Sequence, residues 1–342
     1  LWDRLPLAPR ICQAVWPGFT PSRGLPEMSA AAVIAVDIGG TQVRVALFRD
    51  DRLHQRAALP TDVRGGPSGV MDQIDALIEQ VAAKDDRKTI TGIGLSLAGP
   101  IDTESAVVTR IPTLPGWDGL PVAQALLERT GLPARVENDG IAATLGEWRY
   151  GAGRGVSNIV YLTVSTGIGG GAVVDGRLLH GRKGIAGHLG HMRMAQGGST
   201  CSCGTVGCFE ALASGSALSQ RAAATADMSD HLAGIAQSRA VDARDVFEGA
   251  RAGDSHCLHL VAEEAMYLGQ GITSIIHIFS PDRVVMGGGV SNAFDQLKPG
   301  IHDVIRRDAM PPFRTVSIVK SALGDDSGLF GAASLVLDAS GA

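Results

Sequence analysis

The chain has 342 residues, 45% hydrophobic and 19% charged, with a formal net charge of −5. That length accommodates two cores, and the mildly acidic balance excludes the basic footprint of a nucleic-acid-binding protein. No apolar run reaches the roughly 20 residues of a membrane-spanning helix, and the 45 glycines cluster, which points to tight backbone turns around a ligand.

Residues 1–27 contain Pro6, Pro9, Pro17, Pro21 and Pro26 with Trp2 and Trp16, and show neither helical nor strand periodicity. They lack the basic start, apolar block and cleavage site of a secretory signal. Residues 1–30 are expected to be a disordered leader; the sharper expectation is that translation starts at Met28 and residues 1–27 are not part of the native protein. Residues 31–37 (AAVIAVD) read as a buried strand, 43–48 (VRVALF) as a second and 53–59 as a third. Residues 67–83 place Val70, Ile74, Leu77, Ile78 and Val81 at helical spacing. A strand over 90–97, a proline-opened helix over 121–129, a short strand over 135–137 and a helix over 140–150 follow. The pattern then restarts with a strand over 158–164 and a hairpin through 172–179. A mostly helical stretch runs from 210 to 278, followed by strands over 283–286 and 316–319 and a helix over 328–337. Strand, glycine turn, strand, crossover helix and strand thus occur twice, which predicts two related α/β domains around a cleft.

Three glycine turns sit at strand ends. Asp37-Ile38-Gly39-Gly40-Thr41 can aim backbone N–H groups at phosphate oxygens, and Asp37 can reach magnesium directly or through water. Thr166, Gly167, Gly169 and Gly170 offer the same equipment from the second domain, and Gly287, Gly288 and Gly289 suit the flat approach of an adenosine. None of them is a Walker loop or a dinucleotide fingerprint; together they argue for a nucleoside triphosphate held between two domains. Glu137-Asn138-Asp139 ends a strand before a helix. Asn-Asp there is commonly a helix cap, but in a cleft Asp139 can take the proton of an attacking sugar hydroxyl, and Asn138 can bind a neighbouring one.

Cys201, Cys203 and Cys208 fall within eight positions, with His191 just upstream and Gly, Ser and Thr in the gaps. Three thiolates and an imidazole are the donor set of a closed, structural zinc site. The alternative is three buried or oxidised cysteines, although a bridge between Cys201 and Cys203 would be strained. Cys257 reads as a core residue, and His180, His256, His259 and His277 show no partner in the sequence.

DIGGT, END, STGIGGG and GH-x9-C-x-C-x4-C-x-E, in this order, resemble the ROK family of bacterial sugar kinases. The resemblance runs from about Val33 to the end. It implies an actin-like, hexokinase-like α/β fold that closes on ATP, Mg2+ and a hexose, with a structural Zn2+ loop over 188–210. Residues 31–146 plus 325–340 would form the smaller domain and 147–324 the larger. The resemblance further implies Asp139 as general base toward the sugar 6-hydroxyl, and Asn138, His191 and Glu210 on sugar hydroxyls. Gly99 would lie along the pocket, and His191 would also be a zinc ligand. A cytoplasmic enzyme, and a homodimer or dimer of dimers, are expected on the same ground.

Two departures bear on the sugar. Family glucokinases usually read Gly-Glu-x-Gly-His where this chain reads Gly187-His188-Leu189-Gly190-His191. A carboxylate only accepts hydrogen bonds, whereas a neutral imidazole can donate to an N-acetyl carbonyl. His188 therefore favours a 2-acetamido sugar, and the surrounding block resembles the bacterial N-acetylmannosamine kinases of sialic acid catabolism. Thr113 replaces the usual Asn before Leu114-Pro115-Gly116-Trp117, which also weakens glucose. Glucokinase and N-acetylglucosamine kinase are the alternative activities. A sugar-responsive repressor is disfavoured because no recognition helix fits the residues before the first strand, and an inactive sugar-binding module by the intact Asp139.

Overall fold

In the computed structural model the described residues are 32–337, apart from 50, 83–88, 110, 112 and 225–227. The expected leader, the Met28 start and Cys12 lie outside them. Strand β1 (Ala32–Ile38) is buried along its whole length, as its unbroken apolar run requires of a central strand. It pairs antiparallel with β2 (Gln42–Arg49), which pairs antiparallel with β3 (Arg52–Pro60). On its other side β1 runs parallel to β4 (Ile90–Leu97), and β4 parallel to β7 (Ala134–Asn138). The order is β3-β2-β1-β4-β7, with a small hairpin, β5 (Ile101–Asp102) and β6 (Val107–Val108), beyond β4. Helix α1 (Gly66–Val81) joins β3 to β4 and buries the apolar stripe read from its sequence. Helix α2 (Val122–Thr130) leads to β7 and stops at Gly131, whose φ of 72° supplies the left-handed cap.

After helix α3 (Asp139–Arg149) the same scheme repeats. Strands β8 (Ile159–Val164), β9 (Ile168–Val174) and β10 (Arg177–Leu178) form an antiparallel meander. Strands β11 (Arg283–Gly287) and β12 (Ser317–Lys320) add in parallel, giving β10-β9-β8-β11-β12. The expected helical stretch over 210–278 is, among the described residues, five helices: α4 (Phe209–Ala213), α5 (Gly215–Ala224), α6 (Asp230–Ala236), α7 (Ala243–Arg251) and α8 (Ser255–Phe279). Helix α9 (Phe294–Asp308) fills a segment without an expected element, and α10 (Ser327–Leu337) is the last. No helix among the described residues is long and apolar enough to cross a membrane.

Each sheet is covered on both faces. One face of the first sheet packs Ile34, Val36 and Ile38 against Ile74, Leu77 and Trp117. The other packs Val33, Ala35 and Phe48 against Leu329, Ala332 and Val336 of α10. In the second sheet Leu162 and Met286 pack with Phe209, Leu268, Ile272 and Leu297, Cys257 being buried in the same cluster. On its opposite face Tyr161 and Val285 meet Ala143 of α3.

Helices α3 and α10 pack on each other where the sheets meet. A Cβ on Gly331 would lie 1.7 Å from the Ala142 carbonyl oxygen, and one on Gly146 2.3 Å from that of Ser327, so only glycine permits this approach. Glu147 of α3 is fully buried. It accepts hydrogen bonds from the amides of Ala152, Ala322 and Leu323 and from the hydroxyls of Ser321 and Ser327, enough donors to satisfy a buried anion.

Candidate active site

The site forms where β4 and β7 end side by side, Leu97 opposite Asn138. Asn138 caps α3: its Oδ1 accepts from the amides of Gly140 at 3.0 Å and Ile141 at 3.3 Å. Its Nδ2 donates to the Gly99 carbonyl at 3.0 Å, so the cap also ties the two strand ends together. Gly99 has a φ of 99°, and a Cβ there would press on Ile111 at 2.8 Å. Asp139 opens α3, and its Oδ1 accepts from the Gly140 amide at 2.8 Å. Burial, and then the charge of Asp37, push its carboxyl from 3.8 to about 6 against that hydrogen bond. A carboxylate titrating there is ionised at neutral pH yet basic enough to take a proton.

Asp37 lies near the end of β1, 9% exposed. Its Oδ2 accepts from Arg44 at 2.8 Å and its Oδ1 from the Ser96 hydroxyl at 2.7 Å, which leaves each oxygen one further lone pair. The Gly39 amide closes the turn onto the Gln42 carbonyl at 2.9 Å. Gly40 faces Thr113, whose Cβ would be 3.0 Å from a Cβ on the glycine, and Thr41 is exposed. The Thr113 departure therefore lies against this turn.

In the second turn the Ile168 amide donates to Glu210 Oε2 at 2.9 Å, and that same oxygen would lie 2.4 Å from a Cβ on Gly167. Gly169 and Gly170 are strand residues opposite Thr163 and Leu162. Gly170 is buried and receives α3: a Cβ on Gly140 would lie 2.7 Å from its carbonyl oxygen. A cavity of ≈ 590 Å³, a size that takes a small ligand, brings Thr166 together with Gly289 and with Ser219, Asp242, Arg244 and Asn292. Of the three expected glycines only Gly289 lines it; Gly287 and Gly288 pack elsewhere, where Cβ atoms would strike Tyr161 at 2.2 Å and the Val164 carbonyl at 2.4 Å. The α5 and α7 residues of this cavity carry no sequence signal beyond the Asp242–Asp245 capping box.

His191, Cys201, Cys203 and Cys208 bring their donor atoms within 4.8 Å of one another. Cys201 Sγ is 3.5 Å from His191 Nδ1, and Cys203 Sγ 3.7 Å from Cys208 Sγ. A tetrahedron with Zn–S near 2.3 Å and Zn–N near 2.0–2.1 Å has S···N and S···S edges of about 3.6 and 3.8 Å. The donor set therefore fits zinc in kind, and these two edges fit it in spacing. The four cysteines among the described residues are free of disulfides. Glu210 joins this cluster to the turn: its Oε1 accepts from the Ser202 hydroxyl at 2.9 Å while Oε2 holds the Ile168 amide.

The rings of His188 and His191 stack with centroids 6.1 Å apart. Partial burial, and then His191, hold the His188 imidazole below its usual 6.5, so it is neutral at neutral pH. Gly187 and Gly190 flank it because Cβ atoms there would lie 2.5 and 2.1 Å from the Gly170 and Ile168 carbonyl oxygens. Two histidines without a visible partner in the sequence have one in the fold. His277 Nε2 accepts from the Met310 amide at 3.1 Å, and His180 Nε2 pairs with Glu137 Oε2 at 3.1 Å.

Comparison with known proteins gives a concordant picture. The ROK family profile matches residues 33–339. A glucokinase of Thermotoga maritima is 37% identical over 317 residues, 90% of this chain and 98% of that protein. An N-acetylmannosamine kinase of Citrobacter koseri is 34% identical over 306 residues, 89% and 98% respectively. The crystal structure of a ROK family glucokinase from Streptomyces griseus with glucose and AMPPNP superposes with a TM-score of 0.77 at 32% identity, covering 89% of this chain and 99% of that one.

Proposed function

The chain belongs to the ROK family and is a sugar kinase, and on that premise we propose that it moves the γ-phosphoryl group of ATP to the 6-hydroxyl of N-acetylmannosamine, with Asp139 as general base. The observation that carries the chemistry is the half-buried Asp139 at the mouth of α3, poised by its surroundings near neutrality. Asp139 takes the hydroxyl proton as the sugar oxygen bonds to the γ-phosphorus, and the bond to the β,γ-bridging oxygen breaks to release ADP. Asn138, Gly99, His191 and Glu210 line the acceptor side. The Gly39 amide closes its own turn, so Gly40 and Thr41, with Thr166, Gly167 and Gly169, would offer backbone N–H groups to the phosphates. The cavity beside Gly289 takes the adenosine. Asp37 would hold magnesium, which neutralises phosphate charge when bound. Zinc on His191, Cys201, Cys203 and Cys208 would fix the His191 ring and the loop leading to Glu210. We divide the chain into residues 31–146 plus 325–340 and residues 147–324, because α10 covers the first sheet.

The choice of sugar rests on His188. A neutral imidazole can donate to an acetamido carbonyl; His188 is exposed, and such a polar match would discriminate between substrates by up to about 10⁴ once the bound sugar covers it. Glucose is the second reading, favoured by the higher identity to the Thermotoga maritima glucokinase. ADP release with N-acetylmannosamine, N-acetylglucosamine, glucose and mannose side by side separates them. His188→Glu is expected to shift preference toward sugars with a free 2-hydroxyl; an unchanged specificity ratio would remove the argument from His188.

A further inference from the structure

We infer that His180 is a positioning residue of the acceptor site: reaching over from the second sheet, it holds Glu137, whose other oxygen holds the backbone between Glu137 and Asp139. The inference rests on the phosphotransfer reading and names a residue that reading leaves out. Glu137 is 2% exposed and its carboxylate has two partners. Oε1 accepts from the Asn138 amide at 2.8 Å, and Oε2 faces His180 Nε2 at 3.1 Å. The amide so held belongs to the residue that caps α3 and ties it to Gly99.

The segment carrying His180 grips the neighbouring strand end as well. Lys183 Nζ donates to Asp102 Oδ2 at 2.8 Å, and the Lys183 carbonyl accepts from the Thr103 amide at 3.1 Å. This one turn therefore touches the chain on both sides of the Asn138–Gly99 bond, at residue 137 and at residues 102–103. Its backbone is built for the reach: Gly181, Lys183 and Gly184 have φ of 66°, 60° and 73°. A Cβ on Gly184 would collide with the Thr103 hydroxyl at 2.0 Å, so the two segments meet without a spacer.

His180 is half exposed, and the Glu137 carboxylate favours its charged form, raising it above 6.5. The charged groups around it are Glu137 from β7, Arg182 and Lys183 on its own turn, Asp102 engaging Lys183, and Asp139 two residues beyond Glu137. A group raised in the folded state contributes its interaction fully at low pH and loses it as pH rises through the folded value. The hold on Glu137 therefore weakens above 6.5.

The test follows the Asn138 amide by ¹H–¹⁵N NMR across pH, in an Asp139→Asn background so that Asp139 does not titrate beside it. The resonance is expected to move with a single midpoint above 6.5, and to stop moving when His180→Ala is added. In the otherwise unaltered enzyme, His180→Ala is expected to raise the sugar KM about threefold to tenfold at pH 6, as loss of a partly exposed charge-assisted bond should. The ATP KM stays put and the alkaline rise in sugar KM disappears. His180→Arg, charged at every pH used, keeps a low sugar KM at high pH. An Asn138 amide that ignores the His180 titration, or a His180→Ala enzyme with unaltered sugar KM and pH profile, overturns the inference. If the wild type phosphorylates no hexose, the phosphotransfer reading falls, while the amide titration still decides this one.

Discussion

The two halves of the molecule share strand order and strand direction, yet they secure their first turn by different means. In the first, the turn after β1 is pinned by charge: Arg44 and Ser96 hold Asp37, and a Cβ on Gly39 would make only ordinary contact with the Gln42 carbonyl at 3.6 Å. In the second, the turn after β8 is pinned by contact. Gly167 lies under Glu210, Gly170 lies under Gly140, and Gly187 and Gly190 press on the β9 backbone. The lesson is that topology fixes where a phosphate-sized turn falls but not how it is held. An electrostatic turn can move with its ligand, whereas a turn walled by backbone can serve as the fixed side of a cleft.

The largest expected effect is on the residue between the two turns. Asp139→Asn should lower kcat by about 10²–10⁴ with the far-ultraviolet circular dichroism unchanged; retention of wild-type turnover would remove Asp139 as base. Next comes a paired test of the walls. Gly190→Ala puts a Cβ 2.1 Å from a backbone oxygen and should cost about 1–3 kcal/mol by overpacking. Gly39→Ala meets only the Gln42 carbonyl, at 3.6 Å, and should cost under about 0.5 kcal/mol. Equal losses in urea titrations of the two variants would erase the distinction between the turns. Chelation is expected to act on the second half alone, raising the sugar KM about tenfold through His191 and Glu210 while leaving ATP binding in place. A chelated, metal-free protein with normal sugar affinity would deny the cluster its ordering role.

The smallest effect concerns stability. The folded-state value of Asp139, about 6 against 3.8, means that the folded protein binds this proton more tightly than the unfolded chain. Stability from this group is therefore present at pH 4 and lost as pH rises through 6. Asp139→Asn should stabilise the protein at pH 8 by about 1–2 kcal/mol and hardly at all at pH 4. Thermal melts at the two pH values measure the difference, and a variant less stable at pH 8 would contradict the account.

Much of this was legible in the chain. The strands β1, β4, β8 and β11 announce themselves as largely apolar runs leading into glycine turns, and the donors of the His/Cys cluster lie close together in sequence. Other features were hidden for physical reasons. Helix α9 carries Pro299 and Gly300 in its middle, which mask the stripe of Phe294, Leu297, Ile301, Val304 and Ile305. The 210–278 stretch reads as one helical region because the breaks between its helices are short. The partnership of Glu137 with His180 spans 43 positions and exists only after both sheets have formed. The closed arrangement of Glu147 depends likewise on residues 321–327, far away in sequence. Periodicity reports which face of an element is buried; it does not report which distant polar group completes a buried ion's shell.

The covering of the first sheet by α10 has a consequence for how the chain is made. Val33, Ala35 and Phe48 leave the ribosome long before Leu329, Ala332 and Val336 do. At roughly 5–20 residues per second, one face of the oldest sheet waits tens of seconds for its lid. The second sheet is itself completed only by β12 (Ser317–Lys320), a few residues ahead of α10. A released chain truncated after Asp326, which keeps β12 and lacks α10, is expected to resist protease in the second sheet and yield in the first; equal resistance of both would show that the first sheet matures without its lid. The first sheet, begun by β1, is thus completed by a helix that follows the whole of the second.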